Sequence, residues 1–221
     1  MENCIYKKLK YVVKYPGDFQ RGKEYPVIVF FAGAGSRGEN LDAIRTNPFF
    51  IETESHQLPA VIFAPQCYAN TWFDLFEQII EFVEFVREQP YADKTRIYLI
   101  GSSMGAYAVW QLAMSKPEWF AAIVPICGGG MYWNARRLKN TKIWAFHGCD
   151  DPVVYCEESK HMVERINRNG GDAKLTLLKG VGHDSWINAY RSPEVFEWLL
   201  EQTLTVQTEE GDKYYNAKQY G

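Results

Sequence analysis

Arg96-Ile97-Tyr98-Leu99-Ile100-Gly101-Ser102-Ser103-Met104-Gly105-Ala106-Tyr107-Ala108-Val109-Trp110 is the stretch that decides the fold. An apolar run enters a glycine, passes through serine and leaves as a helix-forming pattern that continues to Ser115. Residues 101–105 are a G-x-S-x-G elbow, in which a nucleophilic serine stands out from a sheet on a strained strand-to-helix turn. The flanking glycines remove side chains that would collide across such a turn. Ser103 is the only serine so framed.

Short β-branched or aromatic runs alternate with longer helical patterns on both sides of the elbow, which predicts an α/β fold with a mostly parallel sheet and helices on both faces. Strands are expected at Ile5 to Lys14, Val27 to Phe31, Ala60 to Ala64, Arg96 to Ile100, Phe120 to Pro125, Thr141 to Phe146 and Ala173 to Leu178. The first is lysine-rich and ends at Pro16-Gly17-Asp18, which fits an antiparallel edge strand. Phe73 to Gln89 carries Leu75, Phe76, Ile79, Ile80, Phe82, Val83 and Val86 at three- and four-residue spacing, so one helical stripe faces the sheet. Further helices are expected at Glu157 to Asn169, stopped by Gly170-Gly171, and at Pro193 to Gln202. The pattern predicts one domain over 1–203 and a polar tail over 204–221.

The 221 residues are 47% hydrophobic and 23% charged, which suits a folded globular chain. A net charge of −3 gives no electrostatic reason to expect nucleic acid or an anionic membrane as partner. No run approaches the roughly 18 apolar residues of a membrane span, and the first residues contain no apolar leader core. The five cysteines are odd in number and scattered, which points to reduced thiols and a cytoplasmic protein. No metal is expected: Cys149 and Cys156 lack a second close ligand pair, and His147-Gly148-Cys149 has no recognised metal spacing.

A serine hydroxyl needs a base, and the base needs a carboxylate to fix its tautomer and stabilise the imidazolium. Both occur downstream in the Ser, acid, His order that accompanies this elbow. Asp150 or Asp151 follows the strand Thr141 to Phe146, and His183 lies in Gly180-Val181-Gly182-His183 after the strand Ala173 to Leu178. All three positions fall just beyond strand C-terminal ends, where open α/β sheets bind ligands. His56 sits in a polar segment and His161 within a helix, so both read as surface residues. His147 ends a strand and is expected to bury its ring beside the acid loop. His183 alone has glycines that let a loop carry the imidazole over the sheet edge.

Five motifs occur in order: Phe31-Ala32-Gly33-Ala34-Gly35-Ser36-Arg37-Gly38; Ala64-Pro65-Gln66-Cys67 with Trp72; Gly101 to Gly105; Cys127-Gly128-Gly129-Gly130; and His147-Gly148-Cys149-Asp150-Asp151 with Gly182-His183-Asp184-Ser185-Trp186. With these, the chain resembles, from about Tyr25 to Leu200, the lidless carboxylesterases of the α/β-hydrolase superfamily, the phospholipase/carboxylesterase-like or polyhydroxybutyrate-depolymerase type. The resemblance implies an α/β-hydrolase fold without a separate cap domain and a serine esterase that needs no cofactor. Relatives with a His-Gly-x-x-Asp run use the fourth residue after the histidine as the acid, which selects Asp151. Pro152 supports that choice by holding Asp151 extended. The oxyanion hole of such a fold takes one N–H from Met104, after the nucleophile, and by resemblance a second from Ala34 in the loop Gly33-Ala34-Gly35. Relatives carry His-Gly where this chain has Ala32-Gly33, so the support of that loop is an open point.

Only some fifteen residues separate Pro125 from Thr141, the stretch where caps are inserted, so an open site for small-molecule esters is expected. Trp72, Tyr132, Trp133 and Trp186 are candidates to line it. The expected substrates are soluble short-chain esters, including acetylated sugars or aromatic esters. A serine peptidase uses the same residues and is the near alternative. From another class, Gly33-Ala34-Gly35-Ser36-Arg37-Gly38 matches G-x-G-x-x-G and admits a nicotinamide-dependent oxidoreductase. That reading lacks an acid after the next strand, which ends in Pro65-Gln66, and leaves the elbow without a purpose.

Overall fold

Apolar runs with no polar alternation can pair only where both faces of a strand are covered. The computed structural model, which describes residues 1–204, builds eight strands into one sheet. Its strands are β1 (Glu2–Tyr6), β2 (Leu9–Lys14), β3 (Tyr25–Phe31), β4 (Val61–Pro65), β5 (Ala92–Ser102), β6 (Ala122–Ile126), β7 (Lys142–Gly148) and β8 (Ala173–Leu178). The order is β1-β2-β4-β3-β5-β6-β7-β8, parallel from β4 to β8, with β1 and β2 antiparallel at one edge. Successive residues of β3 feed opposite cores: Val27, Val29 and Phe31 on one face, Ile28 and Phe30 on the other. This is the period-two alternation of a pleated strand buried on both sides.

Among the described residues seven α-helices cover the sheet: α1 (Asp42–Arg45), α2 (Pro48–Glu54), α3 (Phe76–Arg87), α4 (Met104–Ser115), α5 (Glu157–Arg168), α6 (Trp186–Arg191) and α7 (Pro193–Glu201). Phe82 and Val83 of α3, Val109 and Trp110 of α4, and Met162 and Ile166 of α5 pack on the face that holds Val29. The opposite face receives Ile44 of α1, Phe49 of α2, Tyr190 of α6 and Phe196 of α7. There Phe30 stacks on Phe49 at 4.1 Å between ring centroids.

Two sequence expectations change. The single edge strand expected at 5–14 is a hairpin, because Lys7 takes a left-handed conformation (φ 52°) and folds β1 back on β2. Two-residue hairpin turns favour glycine or asparagine at such a position, and lysine gave no such signal. The second change is three short helices that the sequence patterns did not give, α1, α2 and α6. Asn47 caps α2 by accepting the Phe49 N–H at 2.9 Å, with Pro48 in the first turn. At the C-terminal end, Tyr98 donates to the Gln202 carbonyl and the Leu204 N–H to that of Thr95. The tail expected over 204–221 otherwise lies outside the described residues.

The chain runs from β3 to β4 on one side of the sheet and returns to β5 on the other, so a topological switch point lies between β3 and β5. The crossing is close: a Cβ on Gly105 would lie 1.9 Å from the Phe31 carbonyl oxygen, whereas one on Gly17 would meet nothing within 4 Å. Gly105→Ala is therefore expected to cost more than about 4 kcal/mol or to prevent folding, and Gly17→Ala to change stability by less than about 1 kcal/mol. Urea denaturation of both variants checks the contrast.

Candidate active site

Ser103 follows directly on β5 and precedes α4, with φ 52° and ψ −121°. Such a conformation costs a non-glycine residue about 1–3 kcal/mol and persists only where the surroundings impose it. Here the Ser103 N–H donates to the Ile126 carbonyl at 2.9 Å, tying the turn to the end of β6. The two framing glycines have no room for side chains. A Cβ on Gly101 would sit 2.5 Å from the Gly105 carbonyl oxygen. Beneath the turn, Cys127 also has a positive φ of 45° and is fully buried; burial pushes its thiol up to about 12.

The loops after β7 and β8 bring the acid and the base to this turn. They are joined by backbone: the Cys149 N–H donates to Leu178 O at 2.9 Å and the Asp150 N–H to Val181 O at 3.0 Å. Gly148 is needed at this junction, since its Cβ would lie 2.1 Å from the Gly182 carbonyl oxygen. His183 Nε2 lies 2.8 Å from Ser103 Oγ and His183 Nδ1 lies 2.7 Å from Asp151 Oδ2. Of the two carboxylates left open by spacing, Asp151 is buried and meets the imidazole, whereas Asp150 is exposed. Burial raises the Asp151 carboxyl, but His183 and the N–H groups of Val154 and Val153, donating to Oδ1 at 3.0 and 2.9 Å, outweigh it and hold the group below the usual range.

The other histidines stand apart from the Ser103 hydroxyl. His161 is exposed, and half-buried His56 bonds the Tyr190 carbonyl at 2.9 Å, so it is less a surface residue than expected. His147 is fully buried beside the acid loop.

Ala34 opens a single 3-10 turn (Ala34–Ser36) after β3, and Met104 opens α4; N–H groups at such positions receive no acceptor from their own turn. A Cβ on Gly33 would lie 3.5 Å from Ser103 Cβ, which places this loop against the serine. The loop is held without the histidine that relatives carry. Trp72 Nε1 donates to Ala32 O at 2.9 Å, Arg37 Nε to Ala34 O at 3.0 Å and Arg37 Nη1 to Asn70 O at 2.9 Å. Gln66 Nε2 donates to Ser36 O from below. The same loop opens no long helix, so it offers no helix N-terminus for a pyrophosphate.

A hollow of about 500 Å³ is lined by Phe73, Phe76, Tyr107, Gln111, Gly130 and Met131. Tyr107 lies one turn of α4 beyond the serine, its N–H donating to Ser103 O at 3.3 Å. None of the four aromatic residues singled out in the sequence lines this hollow. Trp72 is a correction: it is 1% exposed, packs edge-on against Phe31 and supports the loop through its indole N–H. Tyr132 and Trp133 project into solvent, 52% and 63% exposed, and Trp186 meets the His183 ring edge-to-face at 5.4 Å. Of the residues that do line it, Phe73 is 52% and Met131 38% exposed.

The prolyl oligopeptidase family model matches residues 63–136, a stretch that holds the elbow and ends before Asp151 and His183. No curated protein matches the chain. Among solved structures the chain is similar to a thermostable esterase, at 33% identity and a TM-score of 0.76, over 88% of this chain and 59% of that one. The chain thus spans less than two thirds of that esterase's length. Est1E from Butyrivibrio proteoclasticus is similar in fold at 14% identity and a TM-score of 0.70, over 91% of this chain and 98% of that one. So is the propionate-bound esterase Est2 from the planctomycete Thermogutta terrifontis, at 18% identity and a TM-score of 0.69, over 90% of this chain and 93% of that one. The likeness over most of the chain, with the elbow leading from β5 into α4 at the switch point, gives the chain the α/β-hydrolase fold.

Proposed function

We propose that the protein is a serine hydrolase that cleaves small soluble carboxylic esters through Ser103, His183 and Asp151. The observation that carries this reading is the unbroken run of contacts from Ser103 Oγ to His183 Nε2 at 2.8 Å and from His183 Nδ1 to Asp151 Oδ2 at 2.7 Å. In the reaction, Ser103 Oγ attacks the ester carbonyl carbon while His183 Nε2 takes its proton. The oxyanion is held by the N–H groups of Met104 and Ala34. His183 then returns the proton to the departing alkoxide, leaving an acyl-serine. Water repeats the sequence, with His183 again as base, and releases the acid. Asp151 keeps the proton on Nδ1 and stabilises the imidazolium.

The substrate class rests on the open site. Between β6 and β7 the chain forms only one short 3-10 segment, Tyr132–Leu138, which supports a site without a cap. The hollow beside Tyr107 is in the size range of small-ligand pockets. Its walls of Phe73, Phe76 and Met131 suit an apolar acyl or alcohol group, and each buried CH₂ adds up to about 0.8 kcal/mol until that wall is used up. Likeness to a thermostable esterase at 33% identity favours an ester over an amide. The prolyl oligopeptidase match over the elbow keeps a serine peptidase as the second reading. All five cysteines are free, which supports the cytoplasm as its compartment. Among the described residues no helix is long and apolar enough to cross a membrane.

Ser103→Ala is expected to reduce ester hydrolysis by several orders of magnitude with the fold retained; turnover near wild type would reassign the nucleophile. Asp151→Asn should lower kcat by about 10³ to 10⁴ and Asp150→Asn by less than about threefold, because only the first disturbs the His183 tautomer. Since Asp151 is held below the usual carboxylate range, it stays ionised where a histidine titrates. The acid limb of kcat/KM should therefore rise with a one-proton slope, and a two-proton slope would remove Asp151 from the role.

A panel of p-nitrophenyl esters from two to sixteen carbons, run beside aminoacyl p-nitroanilides, tests the substrate class. The expected maximum lies between acetyl and butyryl, with a decline by octanoyl and no increase above the micellar threshold. A maximum at twelve carbons or more contradicts the open site, and faster anilide cleavage hands the function to the peptidase reading.

A further inference from the structure

His147 ends β7 fully buried, and its ring is bonded on both sides. Nε2 lies 2.9 Å from the Val154 carbonyl oxygen and 3.2 Å from Asp151 Oδ2. Both neighbours are acceptors, so Nε2 must carry a proton. Nδ1 lies 2.8 Å from Ser159 Oγ, which is itself 2.7 Å from the Gly128 carbonyl oxygen. Ser159 is also fully buried. Its hydroxyl holds one proton, which turns to Nδ1 when the ring is neutral and to Gly128 O when the ring is charged.

Residues 151–154 are thereby clamped at both ends. Val154 donates its N–H to Asp151 Oδ1 at 3.0 Å and accepts from His147 through its carbonyl. Asp151 Oδ2 is shared between His183 Nδ1 at 2.7 Å and His147 Nε2 at 3.2 Å. We propose that His147 is a positioning residue for the reaction, which fixes the Asp151 turn and shares the carboxylate oxygen that orients His183, with Ser159 holding its tautomer. This rests on the Ser103, His183 and Asp151 reading above.

The two contacts of Nε2 have separate consequences. The bond to Val154 O fixes where the carboxylate stands, so its loss lowers kcat and leaves KM nearly unchanged. The bond to Oδ2 draws electron density from the carboxylate that stabilises protonated His183. Removing it makes Asp151 the stronger acceptor, favours the His183 imidazolium and moves the acid limb of kcat/KM to higher pH. The ionisable groups that act on His147 are Asp151 on its own loop and His183 on the loop after β8, while α5 presents the uncharged Ser159. Burial, the largest influence, drives the His147 imidazole below the usual histidine range and favours the neutral ring.

The test compares His147→Leu, His147→Gln and Ser159→Ala, with competent sites counted by stoichiometric fluorophosphonate labelling and kinetics followed on a p-nitrophenyl ester from pH 5 to 9. Gln can place an amide N–H near the position of Nε2, whereas Leu fills the space with no donor. Expected for His147→Leu is a loss of about ten- to a hundredfold in kcat per labelled site, KM within about twofold and an acid limb raised by about half a unit to one unit. His147→Gln should recover most of kcat and return the limb, and Ser159→Ala should show a smaller loss of the same kind. If His147→Leu does not fold, the Gln and Ala variants decide: a limb that stays at the wild-type pH in Ser159→Ala, with kcat unchanged, overturns the proposal. So does His147→Leu with wild-type kcat and pH profile per labelled site, or a lost activity that Gln leaves unrestored. Labelling at a residue other than Ser103 in the wild-type protein would instead overturn the triad itself.

Discussion

Gly105 approaches the end of β3 so closely that a β-carbon on it would sit 1.9 Å from the Phe31 carbonyl oxygen. That approach sets how far α4 can swing from β5, and it is achieved by backbone alone. Because α4 starts there, Ser103 is forced into its positive φ, and the chain leaving Phe31 must pass beside the hydroxyl. The Gly33 loop and the serine are then neighbours by construction, 3.5 Å apart at their β-carbon positions. The proposed oxyanion site, two backbone N–H groups, would need only this close crossing, which leaves the residue types on the loop free to vary. The absent histidine at position 32 illustrates it: Trp72, Arg37 and Gln66 grip the loop's carbonyls from three directions.

The acid side is governed by a different cost, that of taking a carboxylate out of water. Asp151 is 5% exposed and would favour its neutral form there. Two backbone N–H groups and the His183 imidazole reverse that preference, and His147 adds a further N–H at 3.2 Å. A fully satisfied carboxylate is a rigid one, since each bond fixes its rotation. The stitching of the two loops through Gly148 and Gly182 then ensures that rigidity at Asp151 is transmitted to His183 by a short path.

Strands buried on both faces, the striped helix at 76–87 and the glycine-framed elbow were legible because each is a local pattern whose period or spacing follows from backbone geometry. The order Ser103, acid, His183 was legible for the same reason: each residue follows a strand end. Choosing between Asp150 and Asp151 needed the resemblance, because two adjacent carboxylates point to opposite sides of an extended chain and spacing alone does not say which side is inward. The Lys7 turn was hidden because its left-handed residue is held by the β1–β2 pairing rather than by its own preference. His147 was legible as a buried ring, but not its partners Ser159 and Val154, which come from α5 and the far end of the acid turn.

The lining of the hollow was the least legible part, and the reason lies in how it is assembled. Phe73 comes from the 3-10 turn before α3 and Phe76 from the first position of α3, Tyr107 and Gln111 from α4, and Gly130 and Met131 from the connection after β6. No two of these segments share a periodic signal. Large aromatic residues near a motif are a poor guide to such a wall, because the core competes for them: Trp72 and Trp110 are among the largest fully buried side chains. Exposure is no guide either: Phe73 and Met131 of the lining are 52% and 38% exposed, but so are Tyr132 and Trp133 outside it, at 52% and 63%. Gly130 contributes differently, since a Cβ there would lie 3.1 Å from the Trp110 Cβ and 3.3 Å from the Met162 side chain. The connection can therefore descend onto α4 and α5 at that point, and the space above it is left to the hollow. An elbow set by backbone contacts and a hollow set by side chains left over from the core follow separate rules, so the walls of the hollow can change without disturbing the elbow.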